Sequence, residues 1–434
     1  MTPEPAEKPP IPRPVWFLGW TSLFTDAATE MIYPLLPVYL SRVLGATAVS
    51  LGIIEGVAEG VNSLLKVLSG YWSDRVPRRR PIVIGGYALS SIARPFIAVT
   101  TTWPQVLVIR ALDRVGKGIR GAPRDVLLAR FATPSTRGRI YGFHRAMDHT
   151  GAIVGPLVAT VILFFAPEQY RLLFALTVIP GAIAVALLFL VDEDAATGEP
   201  ANLRTREPAD LRTGEPANVR TREPANLRTT EPPNPRTARE APLPGRVIGL
   251  LGVLLVFGLG NSADAFLLLR LADALGGVTY VPLLWAGIHV VKASLSTWGG
   301  DMSDRFGRKR MIIAGWLVYA LVYFAFAMST SAPVFIAWFL FYGVYFALAE
   351  GAEKALVADL TPAERRGAAF GWYNATTGVG ALIASILFGY LYDRFGAPVA
   401  FVTGAALAGI AAVLLLLIPT DTIKDSDVRH PGHQ

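Results

Sequence analysis

Apolar residues along this 434-residue chain come in long blocks and not in alternation. Ile82 to Trp103 contains Arg94 as its one charge, and Val399 to Ile418 contains none. Such runs match the roughly 20 apolar residues that a helix needs to cross the bilayer core. Apolar segments fall at 15–40, 50–70, 81–102, 104–125, 139–165 and 170–191, then again at 246–270, 279–299, 311–330, 333–357, 367–391 and 397–419. Six on each side of a polar interval predict an all-α membrane protein of twelve transmembrane helices in two six-helix bundles. The expected organisation is a tail at 1–14, a bundle at 15–191, a linker at 192–245, a second bundle at 246–419 and a tail at 420–434.

The polar positions between blocks repeat. Gly70-Tyr-Trp-Ser-Asp74-Arg75-Val-Pro-Arg78-Arg79-Arg80 joins the second segment to the third, and Gly300-Asp-Met-Ser-Asp304-Arg305-Phe-Gly307-Arg308-Lys309-Arg310 joins the eighth to the ninth. Thr133-Pro134 with Arg137-Gly138 and Gly142 parallels Thr361-Pro362 with Arg366-Gly367 and Gly371. Both matches have an offset near 229 residues. Two halves of shared topology are parallel repeats about an axis along the membrane normal, with the site between them.

Composition agrees: 52% of residues are hydrophobic and 17% charged, against about a quarter charged in soluble domains. Mean hydropathy is +0.43. The net charge of +7 gathers in short even-to-odd loops, which is a membrane-orientation pattern and not a nucleic-acid surface. These loops hold Arg75, Arg78, Arg79 and Arg80, then Arg130, Arg137 and Arg139, with counterparts at Arg305, Arg308, Lys309, Arg310, Arg365 and Arg366. The rule predicts a multi-pass protein of the inner, cytoplasmic-type membrane with both termini and the linker inside. The first apolar run, from Trp16, reads as a retained span and not a signal peptide. Within the linker, Glu-Pro recurs every eight residues from Glu199 to Pro232, which forbids a stable helix and predicts a disordered tether. The absence of cysteine excludes disulfides and thiolate chemistry.

At this point the chain resembles the major facilitator superfamily of transporters, and the resemblance covers all but the linker and tails. The family's second-to-third-span loop reads Gly-x-x-x-Asp-Arg-x-Gly-Arg-Arg/Lys. Gly70, Asp74, Arg75, Arg78 and Arg79 match it, with Pro77 in place of the second glycine; Gly300, Asp304, Arg305, Gly307, Arg308 and Lys309 match throughout. The resemblance implies a gate on that side, the Asp accepting from helix N-termini and Arg groups. Arg114-Val-Gly-Lys-Gly118 is similar to the family's fourth-span Arg-x-x-x-Gly, whose Arg is linked to proton coupling. Gly142, Gly151 and Gly155-Pro156 are similar to the fifth-span pattern of drug:proton antiporters and other exporters, although Ala159-Thr160 stands where that pattern closes on Gly-Gly. Packing alone is the other role for these glycines, with Pro156 kinking the span. Pro34-Leu-Leu-Pro37 also resembles exporters.

Charges inside the apolar blocks are the candidate chemistry, because each must face water or a partner. Asp26 and Glu30 share a face of span one and could carry a proton across, with Arg114 tuning them; permanent salt-bridging is the alternative. Glu55, Glu59, Asn62 and Lys66 form a stripe on span two that lines the pathway or pairs with the opposite half. On span four, Asp113 and Lys117 are spaced to neutralise each other, Arg120 to Asp125 read as interfacial, and Arg110 and Arg114 remain interior. Asp148, beside Arg145 and His149, is expected to bridge to span four. The second half contributes Asn261, Asp264, His289, Lys292 and Asn374 as cavity residues, and Glu350 with Lys354 as an internal pair. His289 could instead serve packing.

The resulting expectation is a monomeric, non-enzymatic secondary transporter in the lipid bilayer that exports a small organic solute in exchange for protons. No metal, cofactor or nucleic acid is implied, and no Gly-x-x-x-x-Gly-Lys-Ser/Thr phosphate loop appears. Uptake of an organic anion or metabolite, through Arg110, Arg114, His289 and Lys292, is the alternative direction. A non-transporting receptor is the alternative class.

Overall fold

In the computed structural model, residues 10–73, 75–76, 78–132, 136–193, 243–362 and 365–419 are described. Most of both tails, most of the repeat linker, Asp74 and Pro77 lie outside them.

Among the described residues, helices or helix pairs occupy all twelve places where the apolar blocks set spans. Span one runs Arg13–Ile32 and, after a break at Tyr33–Leu35, continues through Leu36–Val38 and a wider π-helical turn at Tyr39–Val43. Spans two to five are Ala48–Ser73, Arg80–Ala93 with a 3₁₀ extension to Val99, Trp103–Arg130 and Arg137–Phe165. Span six is Tyr170–Leu176 followed by Val178–Leu188. Span seven is broken into Gly245–Gly260 and Ala265–Leu275; spans eight to twelve are Val281–Phe306, Arg308–Met328, Ala332–Asp359, Arg366–Phe395 and Ala397–Leu417. Among the described residues, nine helices are long and apolar enough to cross a membrane. Span four falls short because it carries Arg110, Asp113, Arg114, Lys117, Arg120, Arg124 and Asp125. Its packed face carries Arg110, Asp113, Arg114 and Arg120, all buried, whereas Val108 and Leu112 are exposed.

The contacts repeat from half to half. Span one packs on spans five and six, two on four, and three on four and six; span seven packs on eleven and twelve, eight on ten, and nine on ten and twelve. The halves meet through spans two with eleven and five with eight, which the same twofold relation exchanges. Even the close approaches repeat. A Cβ at Gly86 would strike that of Arg120, and one at Gly315 would strike that of Ala349. Arg80 Nη2 donates to the Phe189 carbonyl at the end of span six, and Lys309 Nζ to that of Ile418 after span twelve.

Gly307 separates spans eight and nine at φ +93°, a left-handed value that glycine adopts without penalty. In the first-half hairpin the corresponding turn is held by a residue outside the hairpin motif. Glu193 accepts from the backbone N–H groups of Arg79 and Arg80, each at 3.1 Å, and from Arg130 Nη1 at 2.9 Å. The predicted linker started at Asp192, so Glu193 corrects that boundary: it is buried and caps span three.

Candidate functional site

The halves are pinned at the end opposite the basic hairpins. There the Asp393 carboxylate accepts from the Ala48 and Val49 N–H groups at 2.9 and 2.8 Å, and Arg42 meets Asp273 at 3.3 Å. A Cβ at Gly52 would collide with the Ser385 carbonyl, and one at Gly389 with that of Ala48. Toward the hairpins, an apolar groove of about 740 Å³ runs along spans two and eleven, lined by the exposed Leu64, Val67, Trp372 and Val379, with Gly378 pressed onto Ser63 within it. A polar cavity of about 260 Å³ lies between span two and the second half, lined by Lys66, Asn261, Tyr345, Glu353, Tyr373 and Asn374.

Buried within the first half is an ion network. Asp113 accepts from Arg94 Nε at 2.8 Å and Arg114 Nη1 at 3.2 Å, with Arg110 Nη1 at 3.8 Å. Arg110 Nη2 also donates to both oxygens of Glu55, at 2.7 and 2.9 Å. Arg94 further donates to the Thr25 carbonyl. Three guanidiniums need a third acid for neutrality, and Glu59, bonded to Asn62 Nδ2 at 3.0 Å, lies in the field of Arg114, Lys66 and Lys117.

Several expected pairings are corrected here. Asp113 pairs with Arg94, Arg110 and Arg114 and not with Lys117, because i,i+4 spacing competes with a guanidinium aimed from span three. Arg120 is not interfacial: it is buried, donates to Ser90 Oγ at 2.7 Å and lies 4.2 Å from the Tyr87 ring centroid. Glu55 pairs inside its own half. Asp148 bridges to Ser22 of span one and approaches His144 at 3.6 Å, instead of reaching span four. Gly151 and Gly155 press span five onto the Leu23 and Ala27 carbonyls, whereas Gly142 faces open space. Span five stays one helix through Pro156.

Asp26 and Glu30 diverge. Glu30 accepts from Trp285 Nε1 across the halves at 2.7 Å. Asp26 has no hydrogen bond or ion pair among the described residues, and the charges acting on it are Asp148, Lys117, Glu30 and Arg120, with Arg114 held at Asp113.

The second-half wall is aromatic. Span seven breaks at Asn261–Asp264; Tyr319 donates to the freed Gly260 carbonyl at 2.9 Å, Ser262 and Tyr323 hydroxyls meet at 3.0 Å, and Tyr342 donates to Asp264 at 2.8 Å. Irregular backbone at this depth is tolerated where side chains satisfy it. Lys292 Nζ sits 3.3 Å from the Phe346 ring centroid, and His289 stands edge-on to Trp285. Asn374 bonds its own helix at Phe370 O, and Glu350 pairs with Lys354 at 2.9 Å as expected. At the 229-residue offset, Ser90, Arg94 and Asp113 correspond to Tyr319, Tyr323 and Tyr342. One scaffold carries charge in one half and phenols in the other.

In the hairpin motif, Gly70 and Gly300 make no close approach, and Arg75, Arg78 and Arg305 are exposed. Arg308 reaches Asp304 at 2.5 Å and Asp359 of span ten at 3.0 Å, bracing one half internally.

A family model described as Major Facilitator Superfamily matches residues 18–288 and 249–432. An uncharacterised MFS-type transporter of Methanocaldococcus jannaschii is 29% identical over 94% of this chain and 95% of its own. Multidrug resistance protein 2 of Bacillus subtilis is 32% identical over 32% of this chain and 35% of its own. Among solved structures, the xylose transporter of E. coli in an inward open conformation aligns with TM-score 0.67 and 18% identity over 93% and 95% of the two chains. A POT family transporter in complex with 5-aminolevulinic acid aligns at 0.72 and 11% over 94% and 96%.

Proposed function

The chain belongs to the Major Facilitator Superfamily, and from that premise we propose that it exports a small organic solute by alternating access in exchange for protons. The observation that carries this is the asymmetry of the seam: the Asp393 and Arg42 bonds between the halves at one end, a polar cavity between them toward the other. Basic hairpins mark the open end as cytoplasmic, so a cytoplasmic solute enters between an ionic half and an aromatic one. Rocking of 15–191 against 246–419 then exposes it to the other side.

Asp26, half-buried and with no bonded partner among the described residues, is the proton carrier in this reading; Glu30 couples span one to span eight through Trp285. Glu59, Asn261, Asp264, His289, Lys292 and Asn374 border the solute path, while Arg110 and Arg114 hold the ion network. The aromatic lining suits flat or amphiphilic solutes, and relatives named multidrug resistance proteins, matched over part of the chain, support that direction. Lys292, against Phe346 with no acid bonded to it among the described residues, favours a second reading, uptake of an organic anion.

Proteoliposomes loaded with ethidium, or suspended in benzoate, test both. Under an inward proton gradient the export reading expects ethidium expulsion that Asp26→Asn abolishes. Benzoate accumulation on the same gradient would reverse the direction, and unchanged ethidium efflux in Asp26→Asn would remove the proton assignment.

A further inference from the structure

Glu353, on span ten, is a buried carboxylate with no cation bonded to it among the described residues. Its Oε1 accepts from Trp316 Nε1 of span nine at 2.9 Å and its Oε2 from the Tyr373 hydroxyl of span eleven at 3.2 Å. Both donors are neutral. The nearest charges on its own span, Glu350 and Lys354, are bonded to each other, and Tyr345 is its other titratable neighbour there. Phe257 of span seven stacks on Trp316 from behind. Lys66 of span two lines the shared cavity and is exposed to it.

Among the described residues, the other acids buried to the same degree, Glu55, Asp113 and Glu193, each meet a guanidinium, whereas the less buried Glu30 and Asp264 meet neutral donors. An unpaired carboxylate in a low dielectric is costly unless it binds a proton or a cation. The polar cavity gives that proton a route from water. The 229-residue offset adds a contrast: Glu353 with Trp316 occupies the place of Arg124 with Tyr87, opposite in sign.

We propose that Glu353 is a protonation site of the transport cycle, distinct from Asp26, and that Tyr373 relays its charge state to span eleven. When ionised, Glu353 accepts the Tyr373 O–H. When a proton from cavity water binds Oε2, the oxygen facing the Tyr373 hydroxyl, that oxygen gains a donor and becomes a poorer acceptor, so the Tyr373 bond weakens or reverses. Span eleven forms the seam with span two, through Gly378 against Ser63 and Ser385 against Gly52. A change at Tyr373 therefore acts on the element whose position separates the two open states. This inference rests on the proton-exchange reading above.

Infrared difference spectra between acid and alkaline buffer, on full-length protein in phosphatidylcholine vesicles, read protonated carboxyl groups directly. Glu353→Gln should lose one titrating carboxyl C=O band that Glu350→Gln retains. Glu353→Asp should keep a band, and Tyr373→Phe should displace both its frequency and its titration midpoint. Spectra of Glu353→Gln that superimpose on wild type, or an unmoved band in Tyr373→Phe, would overturn the site. In the ethidium assay, Glu353→Gln should flatten the pH profile of efflux, and an unchanged profile contradicts a role in the cycle. Loss of the Glu353 assignment alone leaves export through Asp26 standing. A wild-type band with flux indifferent to proton gradients would instead sink the exchange reading, and with it any use of that proton in transport.

Discussion

Asp113→Asn is the sharpest single perturbation of the ion network. The substitution keeps shape but removes the charge that Arg94 and Arg114 face at 2.8 and 3.2 Å. Side-chain exposure of these three is 2–9%, so solvent screening offers little relief. Breaking one partner out of a buried ion pair costs about 3–5 kcal/mol, mostly from the charge left behind. For a half of this size that corresponds to a drop in unfolding midpoint on the order of 10 °C. The assay is thermal unfolding of detergent-solubilised protein, followed by size-exclusion chromatography. Adding Arg94→Gln to Asp113→Asn should restore part of the loss, because it removes an orphaned guanidinium. Coupling of about 1–3 kcal/mol is expected for groups in one network. Tyr342→Phe, at the related position of the other half, exchanges a neutral donor and should cost less. An unchanged midpoint in Asp113→Asn, or strictly additive losses in the double variant, would refute the network.

Three further expectations follow from the same geometry. Glu193→Gln weakens the charged acceptor for the Arg79 and Arg80 amides and the ion pair with Arg130, about 1–2 kcal/mol in all; hydrogen exchange at residues 79–84 should quicken, and unchanged protection would contradict the cap. Asp393→Asn together with Gly52→Leu opens the seam, so a cysteine at Val49, in a chain with none of its own, should label faster with a water-soluble maleimide than in the parent; equal rates would show the seam is not held there. Deleting Thr197 to Thr237 should leave ethidium flux intact if the repeats are only a tether, and lost flux in a well-folded deletion would assign them a function.

The sequence made the scaffold legible because the bilayer demands apolar runs of a set length and because a duplication repeats its hairpins. The partners were harder. Spacing along span four pointed to Asp113 with Lys117, since only local neighbours are visible in a linear pattern; Arg94 arrives from another helix. Glu193 was hidden at the edge of an acid-rich interval that looked uniformly solvated. Glu353 went unremarked beside the obvious Glu350 and Lys354 pair, although the repeat offset already set it opposite Arg124. Asp26 and Glu30 share a legible face, but only packing separates a carboxylate bound by Trp285 from one with no bonded partner among the described residues.

Alternating access is tested most directly by distances at both ends of the molecule at once. Spin labels at Val67→Cys with Trp372→Cys report the hairpin end, and at Val43→Cys with Tyr280→Cys the opposite end; all four positions are exposed. Across pH and with ethidium added, the two distances should change in opposite senses, one pair closing as the other opens. Distances that stay fixed, or that lengthen and shorten together, would contradict two halves rocking about a shared site.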